Sequence, residues 1–141
     1  MNKKSIAIRY FTKTDNTKKL ADDIAEVSGC KAQTIDIPVE GKVDILFLGA
    51  SVYWGGIDPQ VKAFIRTLDA KKIGKVAVFS TSALAERAYP EMRKLLLAQG
   101  ITVDEENFYC RGQFKMIHRN KPDSSDLRAA REYAKIICND K

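Results

Sequence analysis

The sequence predicts an α/β fold in which a five-stranded parallel sheet is covered by helices on both faces. Along the whole chain, short apolar runs alternate with segments whose apolar residues recur at helical spacing. Parallel neighbours need long, right-handed crossover connections, so this alternation favours a doubly wound sheet. The 141 residues are enough for a substantial core, and we expect a single domain over residues 1–141.

The first strand and the first helix are separated by a polar loop. An apolar run around Ile8 is typical of a buried parallel strand. After the loop, Leu20 and Ile24 recur at helical spacing. We expect Asn16 or Thr17 to cap this helix, because short polar side chains are favoured at that position.

Two further strands precede the second helix. Residues 32–37 are predicted as the second strand and residues 43–50 as the third, which is apolar enough to be buried on both faces. Pro59 opens the next helix, because proline is favoured at the first helical position. Residues 75–80 are predicted as the fourth strand.

The C-terminal part continues the alternation. A helix over residues 90–99 is expected to end at Gly100. Residues 102–114 contain the fifth strand, and the last helix begins near Asp123 or Ser124. In a sheet of this kind ligands bind outside the carboxyl ends of the strands, so the loops after the first, third and fourth strands are the places to search for a site.

The polar loop after the first strand has the composition of a phosphate site. It holds Thr12, Thr14, Asn16 and Thr17 between an apolar run and an amphipathic one. A strand that turns through hydroxyl residues into a helix brings backbone N–H groups and the positive end of the helix dipole to one place, which favours an anion. Turn and capping preferences alone would give a similar composition, so the residues by themselves leave both interpretations open.

The segment TKTDNTKKLA resembles the phosphate loop of the flavodoxin family, whose pattern is Ser or Thr, any residue, Thr, Gly, any residue, Thr, followed by a helix. Asp15 departs from that pattern at the glycine. Aspartate tolerates the left-handed backbone of a glycine, but its carboxylate opposes a phosphate, a penalty that Lys13, Lys18 and Lys19 could offset. The resemblance implies the strand order 2-1-3-4-5 and an FMN phosphate held by Thr12, Lys13, Thr14, Asp15, Asn16 and Thr17.

Two later loops resemble the flavin loops of the same family. Adjacent aromatic residues followed by two glycines form an apolar surface next to backbone that can approach a planar ligand closely. The resemblance implies that Tyr53 or Trp54 stacks on the flavin ring, with both choices open. The expected ring contacts are Ala50, Ser51, Val52, Tyr53, Trp54, Gly55, Gly56, Ser80, Thr81, Ser82 and Ala83. The run Cys110, Arg111, Gly112 further resembles a short-chain bacterial branch of the family.

The charge balance indicates what kind of partner to expect. The net charge is +6, whereas typical flavodoxins are acidic and dock basic redox partners. We therefore expect a redox partner protein with an acidic docking face or an anionic small-molecule acceptor. Nucleic acid is not expected, because no recognition helix or RNA-binding aromatic motif accompanies the basic residues. Residues 107–122 contain no acid and five basic or imidazole side chains, Arg111, Lys115, His118, Arg119 and Lys121.

Composition and cysteine spacing bear on location. Hydrophobic residues make up 45% and charged residues 30%, as in ordinary soluble proteins. The longest mostly apolar stretch, residues 45–54, is about half of what a membrane span requires, so we expect no membrane span and a cytoplasmic location. Cys30, Cys110 and Cys138 form no metal or redox motif, and we expect them to be reduced, structural thiols.

Arg9 places a charge in the first, central strand, where an unpaired charge would be costly. We expect it to reach solvent or to pair with an acid such as Asp36. The alternative is a cation that lies near the cofactor or a partner.

Other chemistries on this kind of fold lack their residues. A receiver domain needs clustered aspartates at the ends of the first and third strands, and a small phosphatase needs a cysteine in the first loop; neither is present. Dinucleotide and P-loop glycine patterns are also absent. The function expected from the resemblance is that of an FMN-binding electron carrier. Two alternatives stay open, a binding or scaffold module that has lost FMN and a small FMN-dependent quinone or flavin reductase.

Overall fold

A computed structural model describes residues 4–12, 15–52, 56–82, 88–111 and 122–139. Five parallel strands form one sheet in the order β2-β1-β3-β4-β5, which confirms the predicted fold class and strand order. The strands are β1 (Ile6–Phe11), β2 (Ala32–Thr34), β3 (Val43–Val52), β4 (Ile73–Ser82) and β5 (Phe108–Arg111). The helices of the described residues are α1 (Asn16–Ser28), α2 (Pro59–Arg66), α3 (Tyr89–Ala98) and α4 (Ser124–Asn139).

Both faces of the sheet are covered, as the apolar central strands require. On one face α1 and α4 bury Phe47 and Phe79 with the apolar side of each helix. On the other face α2 and α3 bury Leu48 and Val78. Because side chains alternate along a strand, the odd-numbered positions near the end of β3 and β4 face α1 and α4.

Three predicted strand ends differ from the observed ones. The second strand stops at Thr34 rather than at residue 37, because the chain turns there, with the Ile37 amide donating to the Thr34 carbonyl at 3.1 Å. The third and fourth strands each run two residues further than predicted. Ser51 pairs with Thr81 in this added part of the β3–β4 pairing. Polar residues therefore extend the parallel sheet toward its carboxyl edge.

Arg9 supports the connection between β2 and β3. Its side chain is buried, and the guanidinium donates to the carbonyls of Ile37 at 2.8 Å, Pro38 at 2.9 Å and Ile8 at 3.0 Å. The prediction that Arg9 reaches solvent or pairs with Asp36 is therefore wrong. Burial lowers the pKa of Arg9 from its usual value, yet the three acceptors satisfy the fork of the guanidinium. Arg9 thus acts as a structural cross-link between the central strand and this connection.

Tyr133 of α4 offers a test of packing on the other face. Its hydroxyl donates to the carbonyls of Val78 at 2.9 Å and Glu106 at 3.3 Å, while its ring packs edge-on against Phe47. We expect Tyr133→Phe to lower the free energy of unfolding by about 1–2 kcal/mol, since a buried carbonyl loses its donor. Chemical denaturation measures this. Tyr89→Phe, which removes a half-buried hydroxyl, is the matched control with the smaller loss, and equal stability of Tyr133→Phe and the parent would contradict the assignment.

Candidate functional site

The candidate site lies at the carboxyl edge of the sheet, where β1 and β3 are neighbours. Here the strand order reverses, because β1 continues toward β2 on one side while β3 continues toward β4 on the other. Loops that leave this edge diverge, which creates a crevice. The loops from β1 to α1, from β3 to α2 and from β4 to α3 all start here.

The first helix starts with a left-handed residue. Asp15 is the N-cap, with φ 63° and ψ 6°, rather than the predicted Asn16 or Thr17. This is the backbone conformation that glycine adopts most readily and aspartate tolerates. The Lys19 amide donates to the Asp15 carbonyl at 3.2 Å, which closes the first turn of α1. Asp15 thus has the left-handed conformation expected at the glycine of the family pattern.

Four hydroxyl side chains meet beneath this helix start, from the loop after β1, the first turn of α1 and the ends of β3 and β4. The Thr17 hydroxyl lies 2.5 Å from that of Ser51 and 3.0 Å from that of Thr81. Ser51 and Thr81 lie 3.2 Å apart, and Ser51 donates to Thr12 at 3.4 Å. We call Thr12, Thr17, Ser51 and Thr81 the hydroxyl cluster. It joins the carboxyl ends of β1, β3 and β4 to α1.

The hydroxyl cluster has the chemistry of an anion site. Thr17, Ser51 and Thr81 are buried and satisfy one another, whereas Thr12 is half-buried and is the outer end of the cluster. Hydroxyl and amide donors beside a helix N-terminus suit a phosphate. Within the described residues, no group of three or more histidine, cysteine, aspartate or glutamate side chains could hold a metal ion. The donor set therefore suits a phosphate group.

The Asp15 carboxylate is unfavourable to an anion at the start of α1. Asp15 is exposed, and its side chain accepts no capping hydrogen bond from α1. Lys18, expected to offset it, lies 2.8 Å from Asp22, and this hydrogen bond raises the pKa of Lys18. Lys13 lies outside the described residues, and Lys19 is exposed. The Asp15 carboxylate thus stands at the helix start with one of its expected counter-ions engaged elsewhere.

Only the last residues of the loop after β3 are described. Tyr53, Trp54 and Gly55 lie outside the described residues. Ala50 and Val52, at the end of β3, are buried in the core beneath α2 and α3.

Gly56, near the end of this loop, has a backbone conformation and a close neighbour that both favour glycine. Its φ is 106°, and a Cβ atom there would lie 2.5 Å from the Glu91 carboxylate. Glu91 accepts from the Ile57 amide at 3.0 Å and pairs with Lys62 at 3.2 Å. Glu91 thereby fixes the end of the loop from α3. Sequence reasoning missed this residue, since a single acid in the first turn of a helix is common and carries no motif.

Strand β4 ends with three buried hydroxyl residues. Thr81 belongs to the hydroxyl cluster, whereas Ser80 and Ser82 alternate to the opposite face of the strand. Ser80 is fully buried, and among the described residues its hydroxyl has no hydrogen-bond partner. Ala83 lies outside the described residues, as do Lys13 and Thr14 of the first loop.

The predicted basic segment near the sheet edge is only partly described. Residues 112–121 lie outside the described residues, and with them Lys115, His118, Arg119 and Lys121. Arg111 ends β5, but its side chain is not described. The expectation of a basic surface beside the site stays a prediction.

Comparison with known proteins decides the family. A sequence model described as a flavodoxin domain matches residues 7–123. The chain belongs to the flavodoxin family. An uncharacterized protein of Methanocaldococcus jannaschii is 27% identical to this flavodoxin-family chain over 136 residues, which cover 86% of the chain and 89% of that protein.

Solved structures agree with the family fold. A flavodoxin from the domain Archaea superposes with a TM-score of 0.74 and 14% identity, covering 94% of this chain and 95% of that one. Rubredoxin oxygen:oxidoreductase from Desulfovibrio gigas gives a TM-score of 0.73 at 14% identity, and the match covers 94% of this chain but only 35% of that enzyme. At this identity the likeness establishes the fold alone.

The family assignment makes this protein a flavodoxin-like flavoprotein, and a flavin is the cofactor that its fold implies. The hydroxyl cluster and the start of α1 fit the phosphate end of such a cofactor. Among the described helices, none has the length and apolar character needed to cross a membrane.

Proposed function

We propose that this protein is a single-domain electron carrier that binds FMN non-covalently and shuttles electrons between redox partners. The observation that carries the proposal is the hydroxyl cluster at the start of α1, at the point where the strand order reverses. Bound FMN would supply the redox chemistry, and the protein would set its affinity and potential.

The phosphate end of the cofactor would be held by the first loop. Thr12 is the half-buried member of the hydroxyl cluster and accepts from Ser51. Thr17 links α1 to β3 through Ser51 and to β4 through Thr81. These mutual hydrogen bonds hold the donors in place before a ligand arrives, so little ordering is left for binding. The first amides of α1 would complete the donor set. Thr12 and Asp15 both line a cavity of about 310 Å³ on the side of this loop that faces the end of β2, where Asp36 also lines it.

The ring would lie between the second and third loops. The hydrogen bond from the Ile57 amide to Glu91 holds one end of the second loop against α3. Tyr53 or Trp54 would provide the stacking surface, and the backbone after β4 would line the other side. Since Trp54 is the sole tryptophan, its fluorescence should fall when FMN binds. The net charge of +6 supports a partner with an acidic docking face or an anionic acceptor.

Removal of the Asp15 charge is expected to tighten FMN binding. We expect Asp15→Gly and Asp15→Asn to lower the Kd for FMN by about tenfold, because both remove a carboxylate beside the phosphate while tolerating φ 63°. Asp15→Asn separates charge from backbone freedom, since it keeps a side chain of the same size. Fluorescence titration gives the two Kd values. An unchanged Kd in both variants, or an equal gain for riboflavin, which has no phosphate, would contradict the electrostatic account.

Reductive titration separates electron carriage from enzyme activity. We expect the FMN-loaded protein to take up electrons in two resolved one-electron steps and to show no turnover with NAD(P)H and a quinone. Steady turnover with both substrates would instead support the small FMN-dependent reductase. A single two-electron step without turnover would contradict the one-electron carrier.

A second candidate function rests on Asp15. An exposed carboxylate at the helix start opposes a phosphate, and this favours a binding or scaffold module of flavodoxin fold that has lost FMN. A folded protein that does not bind FMN, but whose Asp15→Gly variant does, would support this second function.

A further inference from the structure

Two of the three cysteines line one cavity at the edge of the sheet opposite the candidate flavin site. Cys30 follows the left-handed cap residue Gly29 at the end of α1, and Cys138 lies in the last turn of α4. Both side chains line a cavity of about 570 Å³. Both are half-buried and pack against the same core cluster, whereas the third cysteine, Cys110, is buried in β5.

The helices that carry the two cysteines are held together. Arg131 of α4 lies 2.9 Å from Glu26 and 3.3 Å from Asp23 of α1. The two helices therefore keep their C-terminal ends at one edge of the sheet. A link between Cys30 and Cys138 would extend contacts that the fold already makes.

The surroundings of Cys138 make it unsuited to react first. Burial, followed by the neighbouring Cys30 thiol, raises the pKa of Cys138. Cys138 is therefore mostly protonated at neutral pH and a poor first nucleophile. Cys30 lies 3.4 Å from the Ser28 hydroxyl and lines the same cavity as Cys138 and Lys4.

We propose that Cys30 and Cys138 form a reversible thiol–disulfide pair that a low-molecular-weight disulfide oxidises. The Cys30 thiolate attacks one sulfur of the small disulfide, which forms a mixed disulfide and releases one small thiol. Cys138 then loses its proton and attacks the Cys30 sulfur, which releases the second small thiol and closes the intramolecular bond. The two cysteines lose two electrons and two protons, and the small disulfide is reduced to two thiols.

The bond would join positions that are far apart in sequence. A cross-link from residue 30 to residue 138 closes most of the chain into one loop, which restricts the unfolded state strongly. The oxidised protein should therefore unfold about 10 °C higher than the reduced protein. This gives the redox state a readout that does not depend on any cofactor.

The test uses the full chain, fully reduced and then incubated with oxidised glutathione. We expect the intact mass to fall by two hydrogens and peptide mapping to place the bond between Cys30 and Cys138. We also expect the thermal midpoint to rise and then to return with dithiothreitol. Cys110→Ser is the matched control and should behave like the parent. Cys138→Ser should retain one glutathione on Cys30, Cys30→Ser should react far more slowly, and neither variant should show the rise.

Four outcomes would overturn the proposal. They are persistent glutathione adducts on the parent, a bond that involves Cys110, cross-linked dimers in place of the intramolecular bond, and no reaction at all. The measurement concerns the edge opposite the flavin loops. Failure of the proposed FMN function would therefore leave this result unaffected, and the reverse also holds.

Discussion

Replacement of Thr14 and Thr17 together by alanine is expected to weaken FMN binding by about two orders of magnitude or more. Each hydrogen bond to a charged phosphate contributes roughly 1.5–3 kcal/mol, and every 1.4 kcal/mol or so is a factor of ten. Loss of the Thr17 hydroxyl also takes away the contacts at 2.5 Å and 3.0 Å that hold Ser51 and Thr81. The Kd from a fluorescence titration at fixed salt measures the effect.

Two controls isolate the phosphate contact. Thr67→Ala removes a hydroxyl that donates to the Phe64 carbonyl at 2.6 Å, at an exposed position after α2. It should leave the Kd for FMN unchanged. The double variant should bind riboflavin almost as the parent does, because riboflavin has no phosphate. An unchanged FMN Kd in the Thr14/Thr17 variant would remove the phosphate assignment.

Loss of the Arg9 side chain is expected to produce the largest effect on stability. We expect Arg9→Met to lower the free energy of unfolding by about 3 kcal/mol or more, because two carbonyls of the β2–β3 connection lose a charged donor that is itself buried. Arg9→Lys should recover only part of this, since an ammonium cannot reproduce the fork of the guanidinium. Denaturant unfolding measures both variants.

Arg66→Met provides the matched control for Arg9. Arg66 is exposed in the last turn of α2, so its replacement should change the free energy of unfolding by about 0.5 kcal/mol or less. If Arg9→Met and Arg66→Met lose the same stability, Arg9 is not the cross-link described above.

The sequence was sufficient for the fold class and strand order because the periodicity of each element agrees with its place in the sheet. At α2 the local signals were complete: Asp58 caps the helix by accepting from the Gln60 amide at 2.8 Å, and Pro59 occupies its first turn. Strand ends were less predictable, since tertiary contacts decide them. The sequence predicts a second strand through residue 37, but the chain turns after Thr34 and the Ile37 carbonyl accepts from Arg9.

In the candidate site, too, local sequence features were predictable and tertiary contacts were not. Residue types predicted which positions could contact a cofactor, and Asp15 does adopt the left-handed conformation expected of the family glycine. The links among Thr17, Ser51 and Thr81 could not be predicted, because they depend on the register between β3 and β4. The sequence placed Ser51 and Thr81 in loops that contact the flavin ring, whereas the structure buries them at paired positions of two strands.

The most direct test is a titration of the flavin-free protein with FMN and, separately, with riboflavin, followed by flavin and Trp54 fluorescence. The proposed function predicts saturable binding of one FMN per chain with quenching of the tryptophan. It also predicts riboflavin affinity at least about a hundredfold lower, since the phosphate contacts are lost. A folded protein that binds no FMN, or that binds FMN and riboflavin equally, would contradict the assignment of a phosphate site to the hydroxyl cluster and the start of α1.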